Sequence, residues 1–179
     1  MIFTNTKLGG ALVVEIEELK DSRGGFGRTW CKREFTSRGL NGDLVQCSLS
    51  VSYKRGTLRG MHYQSGPFEE TKLVRCTSGA IYDVIIDLRE DSPTFAQWFA
   101  TELTAANHRM LYVPEGFAHG FQTLADNTEV FYQMSEFYDA ESARGVRWDD
   151  PAFRIEWPAA DRIISPRDAA YPDFISGMK

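Results

Sequence analysis

At 179 residues the chain fits one domain with enough mass for a sizeable core. Apolar residues at 42% and charged residues at 25% give an ordinary globular balance, and a net charge of −5 with a pI near 5.3 argues against a nucleic-acid-binding surface. No run approaches the roughly 18 apolar residues a membrane span needs, and Lys7 is followed by only a short apolar patch, so no signal peptide is expected. Cys31, Cys47 and Cys76 are odd in number and lack CxxC spacing, so reduced thiols and a cytoplasmic location are expected.

Leu12 to Ile16 reads as a first strand. Asp21-Ser-Arg-Gly-Gly25 is a turn, and Phe26, Arg28 and Trp30 then alternate with Gly27 and Thr29 in a period of two. Lys32 to Arg38 is predicted as a short helix closed by Gly39. From Val45 to Tyr53 one row carries Val45, Cys47, Leu49, Val51 and Tyr53, and the other Gln46, Ser48, Ser50 and Ser52. In an ordinary sheet the serine row is the wet face; in a barrel with a polar cavity it faces a ligand. Further strands are predicted at Leu58–Tyr63, Lys72–Thr77, Ala80–Leu88, Gln97–Leu103, Met110–Val113, Ala118–Leu124 and Thr128–Ser135, separated by Ser78-Gly79, Asp91-Ser-Pro93, Pro114-Glu-Gly116 and Asp126-Asn127. Short strands at about ten-residue intervals indicate an all-β antiparallel sandwich or barrel. The predicted barrel spans about 11–138. The proline-containing segment 139–179 is expected to wrap it with short helices and extended loops, the whole forming a single domain over 1–179.

The chain has three histidines, and two of them sit in matching segments: His62 in Gly56–Leu73 and His119 in Val113–Gln122. His62 reads either as a hydrogen-bonded core histidine or as a general base, since its near-neutral pKa suits proton transfer. Strict alternation puts Arg59 on the opposite side of the strand from His62, unless a bulge at Gly60 brings both inward. Lys72 opens an otherwise apolar strand; it either snorkels to solvent or points inward to stabilise an enolate oxygen. Arg23 and Arg59 are either solvated or grip phosphate with their planar forks. Tyr132 alternates with Val130 and Met134 as a core aromatic does. Pro114-x-Gly-x-x-His119 has the form of one cupin metal half-site. The other half-site reads His62-Tyr63-Gln64 and lacks a ligand, and His108 lies in a turn, so no metal is expected.

The ordered motifs then define a resemblance. They are D-S-R-G-G-F at 21–26, L-R-G-M-H-Y-Q at 58–64, K-L-V-R at 72–75, D-V-I-I-D-L-R at 83–89, S-P-T-F at 92–95, V-P-E-G-F-A-H-G-F at 113–121, tyrosines at 132 and 138, D-P at 150–151 and I-E-W-P at 155–158. Over nearly its whole length the chain resembles the dTDP-4-dehydrorhamnose 3,5-epimerase family. The resemblance implies a metal-free, cofactor-free, cupin-like jelly roll, usually a homodimer. Such enzymes invert stereocentres beside the C4 ketone of a nucleotide-linked 4-keto-6-deoxysugar. It implies His62 as base, Tyr132 as acid on the opposite sugar face, Asp168 as the carboxylate paired with the base and Lys72 near the ketone oxygen. It also implies Arg23 and Arg59 at the diphosphate, His119 at the substrate, and Phe26 and Tyr138 at the nucleotide. Arg167 stands where the family commonly has lysine. The departures fall at nucleotide-binding positions: Arg28 and Ala143 replace glutamates, Gln46-Cys47-Ser48 replaces Gln-Asp-Asn, and one extra residue precedes Gly56. A substrate other than the usual thymidine-linked one, or a nucleotide held differently, is therefore expected. Two other readings stand beside the epimerase: a catalytically silent nucleotide-sugar-binding jelly roll, and a metal-dependent cupin enzyme.

Overall fold

The computed structural model describes residues 1–174; 175–179, the end of the predicted domain, lie outside the described residues. In chain order the strands are β1 (Ile2–Asn5), β2 (Leu12–Glu15), β3 (Leu19–Asp21), β4 (Gly24–Phe26), β5 (Gln46–Ser52), β6 (Thr57–Gln64), β7 (Lys72–Ser78), β8 (Ala80–Asp87), β9 (Trp98–Thr104), β10 (Met110–Val113), β11 (Phe117–Thr123), β12 (Thr128–Met134), β13 (Ala143–Gly145) and β14 (Ile163–Ile164). Helix α1 covers Lys32–Thr36 and α2 covers Pro166–Ala169. One sheet runs β1-β2-β10-β7-β12-β5. The facing sheet runs β13-β6-β11-β8-β9, with β14 added to β6, and β3 and β4 form a separate hairpin. All pairings are antiparallel except β14 with β6. This is the jelly roll that the sequence leads one to expect.

Alternation decides what lies between the sheets. Val74, Leu111 and Val130 of the first sheet meet Ile81, Ile85, Leu103 and Phe121 of the second in one buried cluster. Each such side chain contributes about 1.5–3 kcal/mol through burial. β8 reads as a nearly continuous apolar run because both its faces are covered: Val84 and Ile86 pack outward under Val146, Phe153 and Trp157 of the tail. On the outer side of the first sheet, Phe35 of α1 packs with Val14, Leu73 and Tyr112.

Several boundaries differ from the sequence reading. The alternation of Phe26, Arg28 and Trp30 does not continue as a strand, because β3 offers only three residues to pair and the ladder stops at Phe26. Helix α1 ends at Thr36; the Arg38 and Gly39 N–H groups then bond back to Phe35 and Thr36 in a tighter turn. β1 extends the first sheet ahead of residue 11, and β13 and β14 belong to the tail but pair with β6, so the tail is partly sheet. The serine row of β5 faces inward, and Val45, Leu49, Val51 and Tyr53 lie exposed on the outer face.

Candidate active site

A cavity of about 430 Å³ opens between the sheets, and Ser50, Arg59, His62, Lys72, His119, Tyr132 and Asp168 line it. A smaller compartment of about 160 Å³ shares His62, Lys72 and Tyr132 and adds Glu70, Tyr138, Ala143 and Arg167. His62 and His119 come from the second sheet, Lys72 and Tyr132 from the first, so the two walls carry different chemistry.

His62 and Arg59 both reach the cavity because β6 is bulged. His119 pairs with His62 and Phe121 with Arg59, so three steps on β6 match two on β11. Gly60 makes this possible: its φ is +127°, and a Cβ there would lie 2.5 Å from the Gly120 Cα. Asp168 arrives from α2. Ser165 caps the helix by accepting the Asp168 N–H, and Pro166 stands at its first turn. Asp168 Oδ1 lies 2.8 Å from His62 Nε2, and Oδ2 accepts the Gly60 N–H at 3.3 Å. Burial pushes the Asp168 carboxyl up, but the bonds from His62, Gly60 and Ser165 together with the His62 charge outweigh it and hold it below the ordinary carboxylate range. An ionised carboxylate only accepts, so Nε2 presents its N–H to Asp168 and Nδ1 is the ring nitrogen turned away from it.

A second pair lies deeper. His119 Nε2 is 2.7 Å from Oδ1 of the fully buried Asp83. Burial drives the Asp83 carboxyl up, against the charge and hydrogen bond of His119. Lys72 points inward: Nζ lies 2.8 Å from Glu70 Oε1 and 3.4 Å from the His62 carbonyl. Arg59 rests across the serine row, its Nε donating to Ser52 Oγ at 3.2 Å and a terminal nitrogen to the Val51 carbonyl at 3.0 Å.

The structure does not bring every expected residue here. Arg23 and Phe26 stand on the β3–β4 hairpin, 88% and 73% exposed, and Arg23 pairs with Asp21 at 2.6 Å. Arg28 is engaged by Glu34 at 3.3 Å on the surface. β3 and β4 pair only with each other, which leaves Arg23 and Phe26 outside their own chain's cavity, and Arg28 lies on the surface beside α1. Gln46 and Ser48 lie on the inner row of β5, and Gln46 Oε1 accepts the Tyr138 N–H at 3.1 Å. Tyr138 and Arg167 border the smaller compartment. Sequence reasoning missed Glu70, Asp83 and Ser50. Asp83 was detectable as the acid interrupting the apolar run of β8, two residues from the partner of His119, and Glu70 as a carboxylate two residues before Lys72. Among the described residues no group of three or more His, Cys, Asp or Glu side chains gathers as metal ligands do.

Two carboxylate-supported histidines, a tyrosine and a buried ammonium in one cleft define a jelly-roll enzyme that moves protons on a bound small molecule. The model of dTDP-4-dehydrorhamnose 3,5-epimerases matches residues 5–176. A dTDP-4-dehydrorhamnose 3,5-epimerase of Sinorhizobium fredii is 39% identical over 173 residues, 96% of this chain and 89% of that protein. Among solved structures, the dTDP-4-dehydrorhamnose 3,5-epimerase of Bacillus anthracis with TDP and PPi bound superposes with a TM-score of 0.93 at 42% identity, covering 97% of this chain and 99% of that one. ChmJ, a 3'-monoepimerase from Streptomyces bikiniensis in complex with dTDP-quinovose, superposes with a TM-score of 0.88 at 30% identity, covering 95% and 86%. The chain belongs to the dTDP-4-dehydrorhamnose 3,5-epimerase family and is by that membership a nucleotide-sugar epimerase.

Proposed function

We propose that this enzyme inverts C3, C5 or both in a nucleotide-linked 4-keto-6-deoxyhexose, with His62 as base and Tyr132 as acid. The observation that carries this is the His62–Asp168 pair on one wall of the cavity with Tyr132 on the other. A C–H beside a ketone becomes acidic when the carbonyl oxygen is held as an enolate. His62 Nδ1 takes the proton from one sugar face while Asp168 keeps the ring oriented and offsets the imidazolium charge. Lys72, inward and charged, receives the growing oxyanion. Tyr132 returns a proton from the opposite face, and the configuration inverts. The walls supply every group in this cycle, so the reading includes no cofactor and no metal. Arg59 and His119 line the same cavity, which supports assigning Arg59 to the diphosphate and His119 to the sugar.

We also infer a homodimer. The outer row of β5 is apolar and exposed, and the hairpin carries Arg23 and Phe26 away from their own cleft. These two reach a nucleotide only by entering the cleft of a second copy. A cytoplasmic location goes with the three free cysteines.

Incubation of the protein in D₂O with 4-keto-6-deoxyhexoses linked to thymidine, guanosine, cytidine and uridine diphosphates, read by NMR, tests the reading. Deuterium is expected at C3, C5 or both. Arg28 is held by Glu34 and Ala143 brings no acceptor, so the same exchange is expected on several carriers, with kcat/KM differing among them. A wide preference for the thymidine-linked sugar would refute the expected change of base. His62→Asn is expected to abolish incorporation and leave binding largely intact. A wild-type protein that binds these sugars without exchange would be the silent binder instead.

A further inference from the structure

Glu70 stands closer to Lys72 than any catalytic candidate does, and nothing in the cycle above assigns it a task. Its placement follows from the backbone. The Thr71 N–H donates to Ser135 Oγ at 2.8 Å, and the Thr71 carbonyl accepts from the Ser135 N–H at 3.0 Å. In extended backbone the residues on either side of a pinned one point to the same face. Glu70 and Lys72 therefore both enter the cleft. The turn that carries Glu70 is braced by Gln64, whose Nε2 donates to the carbonyls of Phe68 at 2.9 Å and Phe137 at 3.1 Å. The Glu70 and Lys72 side chains are only 8% and 9% exposed. An ammonium has three N–H donors. One goes to Glu70 and one lies against the His62 carbonyl, which leaves the third for the cavity that Lys72 lines.

A competing attractor lies nearby. Asp83 is fully buried, its Oδ1 is held by His119, and its Oδ2 has no hydrogen-bond partner among the described residues. The Lys72 charge is felt at that carboxyl. The buried Asp83 carboxyl is therefore a second acidic group toward which the Lys72 charge is drawn.

We propose that Glu70 is a positioning residue that fixes the Lys72 ammonium with its free N–H toward the enolate oxygen and away from Asp83. This rests on the epimerase reading above. Charge-assisted bonds between a carboxylate and an ammonium are the strong, short kind, and an amide in place of Glu70 supplies an acceptor without the charge. The ammonium is then less firmly aimed, and misplacement on the scale of 1 Å costs on the order of 100-fold in rate.

The test uses Glu70→Gln, Glu70→Asp, Lys72→Ala and the double variant E70Q/K72A, with solvent deuterium exchange for kcat and KM and calorimetry with thymidine diphosphate for binding. E70Q is expected to lower kcat about 10- to 100-fold with the nucleotide Kd within about twofold of wild type, and E70D to recover part of the loss. In the K72A background E70Q is expected to cost nothing further in kcat, because Glu70 acts through the lysine. Wild-type kcat in both E70Q and E70D, or an equal loss from E70Q with and without Lys72, would overturn the proposal while leaving the epimerase reading intact. Should E70Q fail to fold, E70D decides alone: a kcat loss at unchanged nucleotide affinity supports the role, and unchanged kcat refutes it. Absence of exchange in the wild type removes the parent reading and this inference with it.

Discussion

Asp168 illustrates how one carboxylate serves two ends. Its Oδ1 orients His62, and its Oδ2 ties the bulge at Gly60 to the tail. Asp168→Asn keeps the shape but offers Nε2–H a weaker partner and no countercharge for the imidazolium. We expect it to lower kcat by about 100-fold or more, within the range that positioned acid–base groups contribute, with KM much less changed; steady-state kinetics checks the split. At this scale His62, Tyr132 and Lys72 were legible as residue types that carry chemistry, but their directions were not. Lys72 had two readings, and only the pinning of Thr71 to Ser135 shows why it turns inward. For Arg59 the sequence left strict alternation and a bulge at Gly60 side by side, and the register between β6 and β11 decides for the bulge.

The elements that hold the site depend on how strands end. Asp87 closes β8 and is completely buried. Burial pushes its carboxyl up, but bonds from Arg89, Ser92 and Thr94 pull it down to about 2 from an ordinary 3.8. A depressed carboxyl stabilises the fold above its unfolded pKa and loses that contribution as pH falls through the folded one. The window here runs from near pH 4 to near pH 2, and the shift corresponds to about 2 kcal/mol. Asp87→Asn is expected to lower stability by about that amount at pH 7, with the gap to wild type narrowing below pH 4; urea denaturation at pH 7 and pH 3 measures both. Long strands such as β8 and β12 were legible because period-two rows or apolar runs mark them. β13 and β14, at three and two residues, carry no period and exist because β6 offers them an edge. The row from Phe26 to Trp30 erred the other way, with a period but no partner strand.

For the whole molecule, the outer row of β5 is the feature that a single copy leaves unresolved. Large exposed apolar patches on soluble proteins mark contact surfaces, and an exposed edge strand is a pairing hazard unless covered. Analytical ultracentrifugation at micromolar concentration is expected to show a species of twice the 20.3 kDa chain mass. Leu49→Glu on that row is expected to shift it toward the monomer and to raise KM, as Arg23 and Phe26 leave the partner's cleft. A lone 20.3 kDa species for the wild type would refute the dimer. The all-β class and the longer strands were readable from turn spacing, whereas the side of β5 that faces water was not, because a serine row suits either solvent or a polar cavity.

The His62–Asp168 contact joins residues 106 positions apart. The cavity walls are written in the strands, while the carboxylate that His62 contacts is written in a four-residue helix of the wrapping tail. One carboxylate of the proposed proton chemistry is thus encoded apart from the strands that carry His62, Lys72 and Tyr132. A lineage can alter Pro166–Ala169 and turn the enzyme into a sugar-nucleotide receptor with its barrel untouched, or exchange the serines of β5 for a new ligand while the proton chemistry stays in place.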